Sequence, residues 1–299
     1  MPRILVTGAN GFLGRYATEA LIADGWDVVG TGRRLPDRSL IRFVAADLLT
    51  RDGIEHAVSE ARADVLLHLA WFDDPRARWS GPENLDWVAA TLDLARRFSQ
   101  SGGRRFVFGS SCAVYDFAAR TRHRESDQTA PNSLYGIAKA STGSLLTAAG
   151  PVMNLAVAEA RMFFCYGGGE PPQRLVSDLI AGLAAGQRVK CTDGQQKRDY
   201  LHAADIGRAL SLISGAAVEG PVNVASGRSI RVADLIHELA KQMNRPGLPE
   251  LGAIPRPKDD PDEIVADTSI LAGLDFRAEH DLATGVAESL RRQRPGIAS

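Results

Sequence analysis

The chain has 299 residues, of which 44% are hydrophobic and 24% charged, and its formal net charge is −1. This length accommodates one large domain, or a larger and a smaller lobe sharing a cleft. The near-balanced charge, without a long run of either sign, gives no electrostatic ground for a nucleic-acid or membrane partner. Cys112, Cys165 and Cys191 have neither paired nor metal-ligand spacing, so a reducing compartment and no metal are expected. Met1-Pro2-Arg3 leads straight into apolar Ile4-Leu5-Val6, and no apolar stretch is long enough for a bilayer; the expectation is a cytoplasmic protein without a signal peptide.

In chain order, residues 4–7 read as a buried strand and 13–23 as a helix. Strands follow at 27–30 and 42–45, a helix at 54–62 and a strand at 65–69. A helix at 85–99 and a strand at 105–109 continue the alternation. Continuous apolar strands separated by amphipathic helices predict an α/β fold, a doubly wound parallel sheet covered on both faces. Ligands bind such sheets at the carboxyl ends of the strands. Beyond about residue 165, Gly167-Gly168-Gly169 and Pro171-Pro172 mark a linker. Helices at 175–185 and 232–242 follow, and 255–261 reads as an exposed loop. The expected division is a dinucleotide-binding domain over 1–165 and a smaller C-terminal α/β substrate lobe over 166–299. A segment near 198–226 is able to return to the first sheet, through strand-like residues 221–225.

The first strand runs into Thr7-Gly8-Ala9-Asn10-Gly11-Phe12-Leu13-Gly14. Glycines here permit a tight turn, approach of backbone to a pyrophosphate and close helix–strand packing. The helix N-terminus then offers unpaired N–H groups to phosphates. At the end of the second strand an acid would bind ribose hydroxyls, whereas an arginine accepts a 2′-phosphate. The sequence there is Gly32-Arg33-Arg34, with no carboxylate before Asp37, so NADP(H) is preferred and NAD(H) is the alternative. Arg33 and Arg34 as solvated loop charges are the competing reading. Asp47 is placed to accept from an adenine amino group with Leu48 against the ring, or else to cap the next helix.

Tyr135-Gly136-Ile137-Ala138-Lys139 sets a phenol and an amine four residues apart, on one helical face. A nearby ammonium favours phenolate and draws a pKa of about 10 toward the working range. Ser110-Ser111 ends the fifth strand, where a hydroxyl can orient a substrate carbonyl or alcohol. Each feature alone is ordinary: a surface helix pair, a turn.

Together the motifs resemble the extended short-chain dehydrogenase/reductase family, in its nucleotide-sugar epimerase, dehydratase and ketoreductase branch. The resemblance rests on TGANGFLG at 7–14, Asp47, His68-Leu69-Ala70, SSCAVY at 110–115, and Pro131 followed by the YxxxK pair. RMFFCYG at 161–167, RDYLH at 198–202 and PVNVASG at 221–227 complete it. It implies a Rossmann sheet, with Ser111, Tyr135 and Lys139 as the catalytic group. Leu69, Ala70 and Phe163 join the glycine loop, Tyr135 and Lys139 on the cofactor side. Arg198 matches an arginine that grips the sugar nucleotide's diphosphate; its competing reading is a salt bridge to Asp199 or Asp205. Trp71, Cys112 and Phe164 are implied at the substrate end, although a tryptophan after a strand also serves packing.

Departures narrow the reaction. Dehydratases of the family carry an Asp-Glu pair after the catalytic hydroxyl residue, and decarboxylases a Glu near it; Cys112 and Ala113 stand here. A 4-epimerase or a ketoreductase remains. The Gly32-Arg33-Arg34 end suits NADPH, and the segment from His68 to Trp87 resembles that of NDP-4-keto-6-deoxyhexose 4-ketoreductases, so the expected reaction is NAD(P)H-dependent reduction of a keto group, at C4, on a nucleotide-linked deoxysugar. An NAD-dependent nucleotide-sugar 4-epimerase is the runner-up. A non-catalytic NAD(P)-binding sensor is the reading from another class, and retention of the Tyr/Lys pair argues against it. The resemblance also implies a homodimer through helices at 84–99 and 133–147.

Overall fold

A computed structural model describes residues 1–35 and 41–293; Asp37 lies outside the described residues. The first half alternates β1 (Arg3–Thr7), α1 (Phe12–Ala23), β2 (Asp27–Gly32), β3 (Arg42–Ala45), α2 (Arg51–Ala61), β4 (Val65–His68), α3 (Glu83–Gln100) and β5 (Arg105–Ser111). After the two-residue β6 (Arg122–His123) come α4 (Leu134–Ala149), β7 (Ala156–Met162) and β8 (Phe164–Tyr166). Then follow α5 (Leu175–Ala184), β9 (Val189–Lys190), β10 (Lys197–Arg198), β11 (Tyr200–His202), α6 (Ala203–Gly215) and β12 (Gly220–Val224). The chain continues with β13 (Ile230–Arg231), α7 (Val232–Gln242), β14 (Pro249–Glu250), β15 (Glu263–Ala266), α8 (Ser269–Gly273) and α9 (Leu282–Gln293).

Seven strands form one sheet in the order β12-β7-β5-β4-β1-β2-β3, every pair parallel. This is a Rossmann-type sheet. The chain leaves β1 toward β3 and returns to β4 on the other side, so the order reverses between β1 and β4, where such sheets open a crevice. Both faces are covered, which is why the strands read as unbroken apolar runs. Ala17 and Leu21 of α1 pack with Ile206, Ala209 and Leu210 of α6 over one face. Ile54 and Val58 of α2, Leu94 and Phe98 of α3, and Leu146 of α4 pack over the other.

Helix starts follow local chemistry. α2 begins three residues before the apolar periodicity because Thr50 Oγ1 accepts the Gly53 N–H at 3.1 Å. β5 runs two residues past its expected end, carrying Ser110 and Ser111 in extended backbone beside Arg161 and Met162 of β7. β12 lies at the edge of the large sheet, paired with β7, so residues beyond the glycine-rich linker contribute to it. The remaining strands form a four-stranded sheet, β13-β10-β15-β6, and two pairs, β11-β8 and β14-β9. An apolar centre of α5, α7 and α9 residues, among them Leu179, Ile236 and Val286, supports this part. Residues 255–261 hold neither helix nor strand. No helix among the described residues is long and apolar enough to cross a membrane.

Candidate active site

The crevice at the β1/β4 reversal is a cleft of about 580 Å³. Gly8 adopts φ +68°, and a side chain there would meet Ala70 N at 2.9 Å. A Cβ on Gly14 would lie 2.0 Å from Gly8 O, so α1 starts in direct contact with the turn. The helix begins at Gly11 without a side-chain cap and without an acid in its first turn. Its first N–H groups are therefore left for an anion. Thr7 Oγ1 accepts the N–H groups of Leu69 and Ala70, both at 3.1 Å, and is hydrogen-bonded to His68 Nδ1 at 2.7 Å. Burial, with the Lys139 charge second, holds His68 down at about 3, so it stays neutral and ties β4 to the turn. This cradle fits a dinucleotide pyrophosphate.

Across the cleft, Ser133 caps α4 by accepting the Gly136 N–H at 3.2 Å, which fixes Tyr135 in the first turn. A Cβ on Gly136 would stand 2.4 Å from Ala113 O; glycine lets α4 close on the end of β5. Tyr135 thereby lies within the influence of the Ser111 hydroxyl, which favours the phenolate. Burial pushes the phenol up to about 12, against the opposing pull of Ser111 and then of Arg78. Lys139, on the same helical face, has its nearest partners elsewhere than the phenol ring. Its Nζ donates to Gly109 O at 2.7 Å and lies 3.7 Å from the Trp71 ring centre, but 5.9 Å from that of Tyr135. The ammonium has taken a carbonyl and an indole face that the four-residue spacing could not reveal. Burial carries its pKa well below the usual amine range, with Glu159 opposing.

The cleft is lined by Gly8, Gly11, Phe12, Leu13, Gly14, Leu69 and Ala70 on one side. Trp71, Ser111, Cys112, Tyr135, Lys139, Phe163 and Phe164 line the other. Asn10, Arg33, Arg34, Asp47 and Leu48 are outside this lining. Asn10 donates to Arg34 O at 2.8 Å. Arg33 and Arg34 are exposed and make no ion pair among the described residues. Asp47 accepts the Leu49 N–H at 3.1 Å, and Thr50 rather than Asp47 caps α2. Leu48 is buried with Ile54 and Val58 in the core. Trp71 lines the cleft and also stacks on Trp87.

Arg198 lines a second cavity, of about 380 Å³, that meets the cleft at Phe164, Leu175 and Tyr200. Its ion-pair partner is Asp260, not Asp199 or Asp205, and its Nη1 also donates to Lys197 O and Pro261 O at 2.8 Å each. The 255–261 loop supplies this partner, which no local spacing from Arg198 could indicate. Burial pushes the Cys112 thiol to about 12 and Cys165 to about 11, so neither is a thiolate at neutral pH.

The sequence pattern of the NAD dependent epimerase/dehydratase family matches residues 4–225. The chain belongs to that family. Among curated epimerase/dehydratase relatives, the UDP-glucose 4-epimerase of Azospirillum brasilense is 26% identical over 96% of this chain and 90% of its own length. The dTDP-glucose 4,6-dehydratase of an Actinoplanes species is 27% identical over 96% of each. Among solved structures, MoeE5 in complex with UDP-glucose and NAD superposes with a TM-score of 0.86 at 28% identity, over 99% of this chain and 100% of its own.

For a member of the epimerase/dehydratase family, several residues in and behind the cleft carry no motif in the sequence. Glu159 is a buried carboxylate in the middle of β7, paired with Arg161 at 2.9 Å and close enough to favour the Lys139 charge. A charge inside an apolar strand was the available signal. Asp73, Arg78, Glu170 and Arg174 line the cleft itself. They sit in loops before α3 and α5, where no periodicity marks them.

Proposed function

We propose that the protein is a nucleotide-sugar 4-epimerase that uses NAD. The observation that carries this reading is the meeting of Ser111, Tyr135 and Lys139 with the Gly8–Gly14 turn in one cleft, with Cys112 and Ala113, rather than carboxylates, following the serine. Elimination of water needs a second acid/base there, and a thiol held near 12 does not supply one. What supports an epimerase over the ketoreductase expected from the sequence is kinship with named UDP-glucose 4-epimerases along nearly the whole chain.

In this reading Gly8, Gly11 and Gly14 hold the pyrophosphate, while Lys139, Leu69, Ala70 and Phe163 surround the nicotinamide end. A bound nicotinamide would supply reversible hydride transfer at the sugar carbon. Tyr135 exchanges the proton at its phenolic oxygen with the sugar oxygen. A phenol at about 12 stays protonated at neutral pH and so holds the proton for a keto oxygen; its service as a base depends on the lowering influence of Ser111 and of the Arg78 field. Ser111 orients the same sugar oxygen, and Arg198 serves the diphosphate from the adjoining cavity.

A ketoreductase consuming NADPH is the second reading, favoured by one observation: β2 ends at Gly32 with exposed Arg33 and Arg34 and no carboxylate among its described neighbours. The two separate on redox balance. An epimerase interconverts a UDP-hexose pair with no net change in nicotinamide absorbance, whereas a reductase oxidises one NADPH per sugar. A homodimer through α3 and α4 also belongs to this reading, supported by exposed Leu85, Ile137 and Leu145 on those helices; sedimentation equilibrium tests it.

A further inference from the structure

One cluster in the cleft bears on the proton exchange only through the field of its charges on Tyr135. Asp73, in the loop after β4, accepts hydrogen bonds from Arg174 Nη2 at 2.8 and 3.1 Å, and Arg78 Nη1 stands 3.4 Å from the same carboxylate. The arginines come from separate segments, Arg78 from the loop before α3 and Arg174 from the residue preceding α5. Their side chains are only 25% and 22% exposed, whereas that of Asp73 is 48% exposed. The Nε atom of each arginine is buried and has no hydrogen-bond partner among the described residues. Withdrawn guanidiniums normally use their donors. Two that retain spare ones, bridged by a carboxylate that water already reaches, have the form of an anion site holding an internal stand-in.

The position of the pair relative to the reacting carbon says which anion. The Arg78 guanidinium carbon is 4.9 Å from the Trp79 ring centre, and that ring meets Tyr135 edge-on at 5.4 Å. The charges of Arg78 and Asp73 both act on the Tyr135 phenol. In a hexose whose C4 oxygen meets this tyrosine, the substituent on C5 is next to the reacting carbon. The diphosphate on C1 lies across the ring. The Arg78 cation, close to the tyrosine and joined through Asp73 to Arg174, therefore matches the C5 substituent, while Arg198 serves the far end from another cavity.

Resting on the epimerase reading, we propose that Arg78 and Arg174 form a carboxylate subsite and that the sugar is a nucleotide-linked hexuronate, its carboxylate taking the place of Asp73. Glu170, 8% exposed, also lines the cleft, with its Oε2 accepting the Ser177 N–H at 3.3 Å. Burial pushes it up to about 7, with Arg174 opposing, so near neutrality it only partly offsets the pair of cations.

The test is calorimetric titration of UDP-glucuronic acid and UDP-glucose into the NAD-loaded protein, the wild type and the variants Arg174→Gln and Arg78→Gln. The wild type is expected to bind the uronate at least about tenfold more tightly, and each variant to shrink that ratio about tenfold. Circular dichroism checks both variants; if one is unfolded, the other decides. A wild-type ratio at or below one, a ratio unchanged in the folded variants, or binding of neither sugar overturns the subsite. Binding is read apart from turnover. A protein that prefers the uronate yet does not epimerise it contradicts the epimerase reading alone, and one that epimerises both without preference contradicts the subsite alone.

Discussion

Lys139 Nζ stands 3.7 Å from the centre of the Trp71 ring while donating to Gly109 O at 2.7 Å. Lys139 is 4% exposed, and its charge is compensated by an indole face, one carbonyl and the field of Glu159. Its pKa lies well below the ordinary amine value, with burial the largest cause. A base with a depressed folded pKa contributes stability above its unfolded pKa, and loses it as pH falls through the folded value. At neutral pH this lysine therefore weakens the fold it serves.

Lys139→Met is accordingly expected to raise the melting temperature at neutral pH while turnover falls at least about 100-fold, a stability–activity trade. Thermal unfolding and turnover measured on the same sample check it. A lower melting temperature with activity retained contradicts the assignment.

Glu170 makes a pH-dependent contribution of opposite character. Its folded pKa is raised to about 7 by burial, from an ordinary 4.5. A raised folded pKa gives stability that is full below the unfolded value and is lost as pH rises through the folded one, here between about pH 4.5 and 7. Glu170→Gln removes this loss. Relative to wild type, the variant is expected to gain up to about 3 kcal/mol between pH 4.5 and 8. Urea unfolding at both pH values measures it, and an equal difference at the two contradicts it.

Glu159 and Arg161 form a buried pair at 2.9 Å, with Arg161 Nη1 also donating to Tyr115 Oη at 3.0 Å. Removing one partner leaves an uncompensated charge, so Glu159→Ala is expected to cost about 3–5 kcal/mol. Chemical denaturation gives the figure. A loss under about 1 kcal/mol, the range of exposed pairs, contradicts the role.

The dinucleotide turn allows a sharper substitution. In Gly14→Ala the new methyl would lie 2.0 Å from Gly8 O, and backbone must move to admit it. Cofactor affinity is expected to fall at least about tenfold, read by fluorescence titration with NAD. Unchanged affinity contradicts the placement of the pyrophosphate at this turn.

The parallel sheet was legible because its strands, buried on both faces, are unbroken apolar runs, and because Gly8 to Gly14 sits between one of them and a helix. The Tyr135–Lys139 spacing put both side chains on one helical face, but the direction of the ammonium depended on Gly109 and Trp71, remote in sequence. The same holds for Arg198, whose partner Asp260 is 62 residues away. Asp73, Arg78 and Arg174 were invisible for a different reason. They lie in loops, where no period of 2 or 3.6 marks a face, and only the fold brings Arg174 to a carboxylate 101 residues distant.

The most direct measurement follows a UDP-hexose by NMR with the purified protein and NAD while nicotinamide absorbance is recorded. Conversion to the C4 epimer with no net change in that absorbance is expected, with a fall of about 10²–10⁴-fold in Tyr135→Phe. Stoichiometric oxidation of NADPH, or undiminished conversion in Tyr135→Phe, would contradict it.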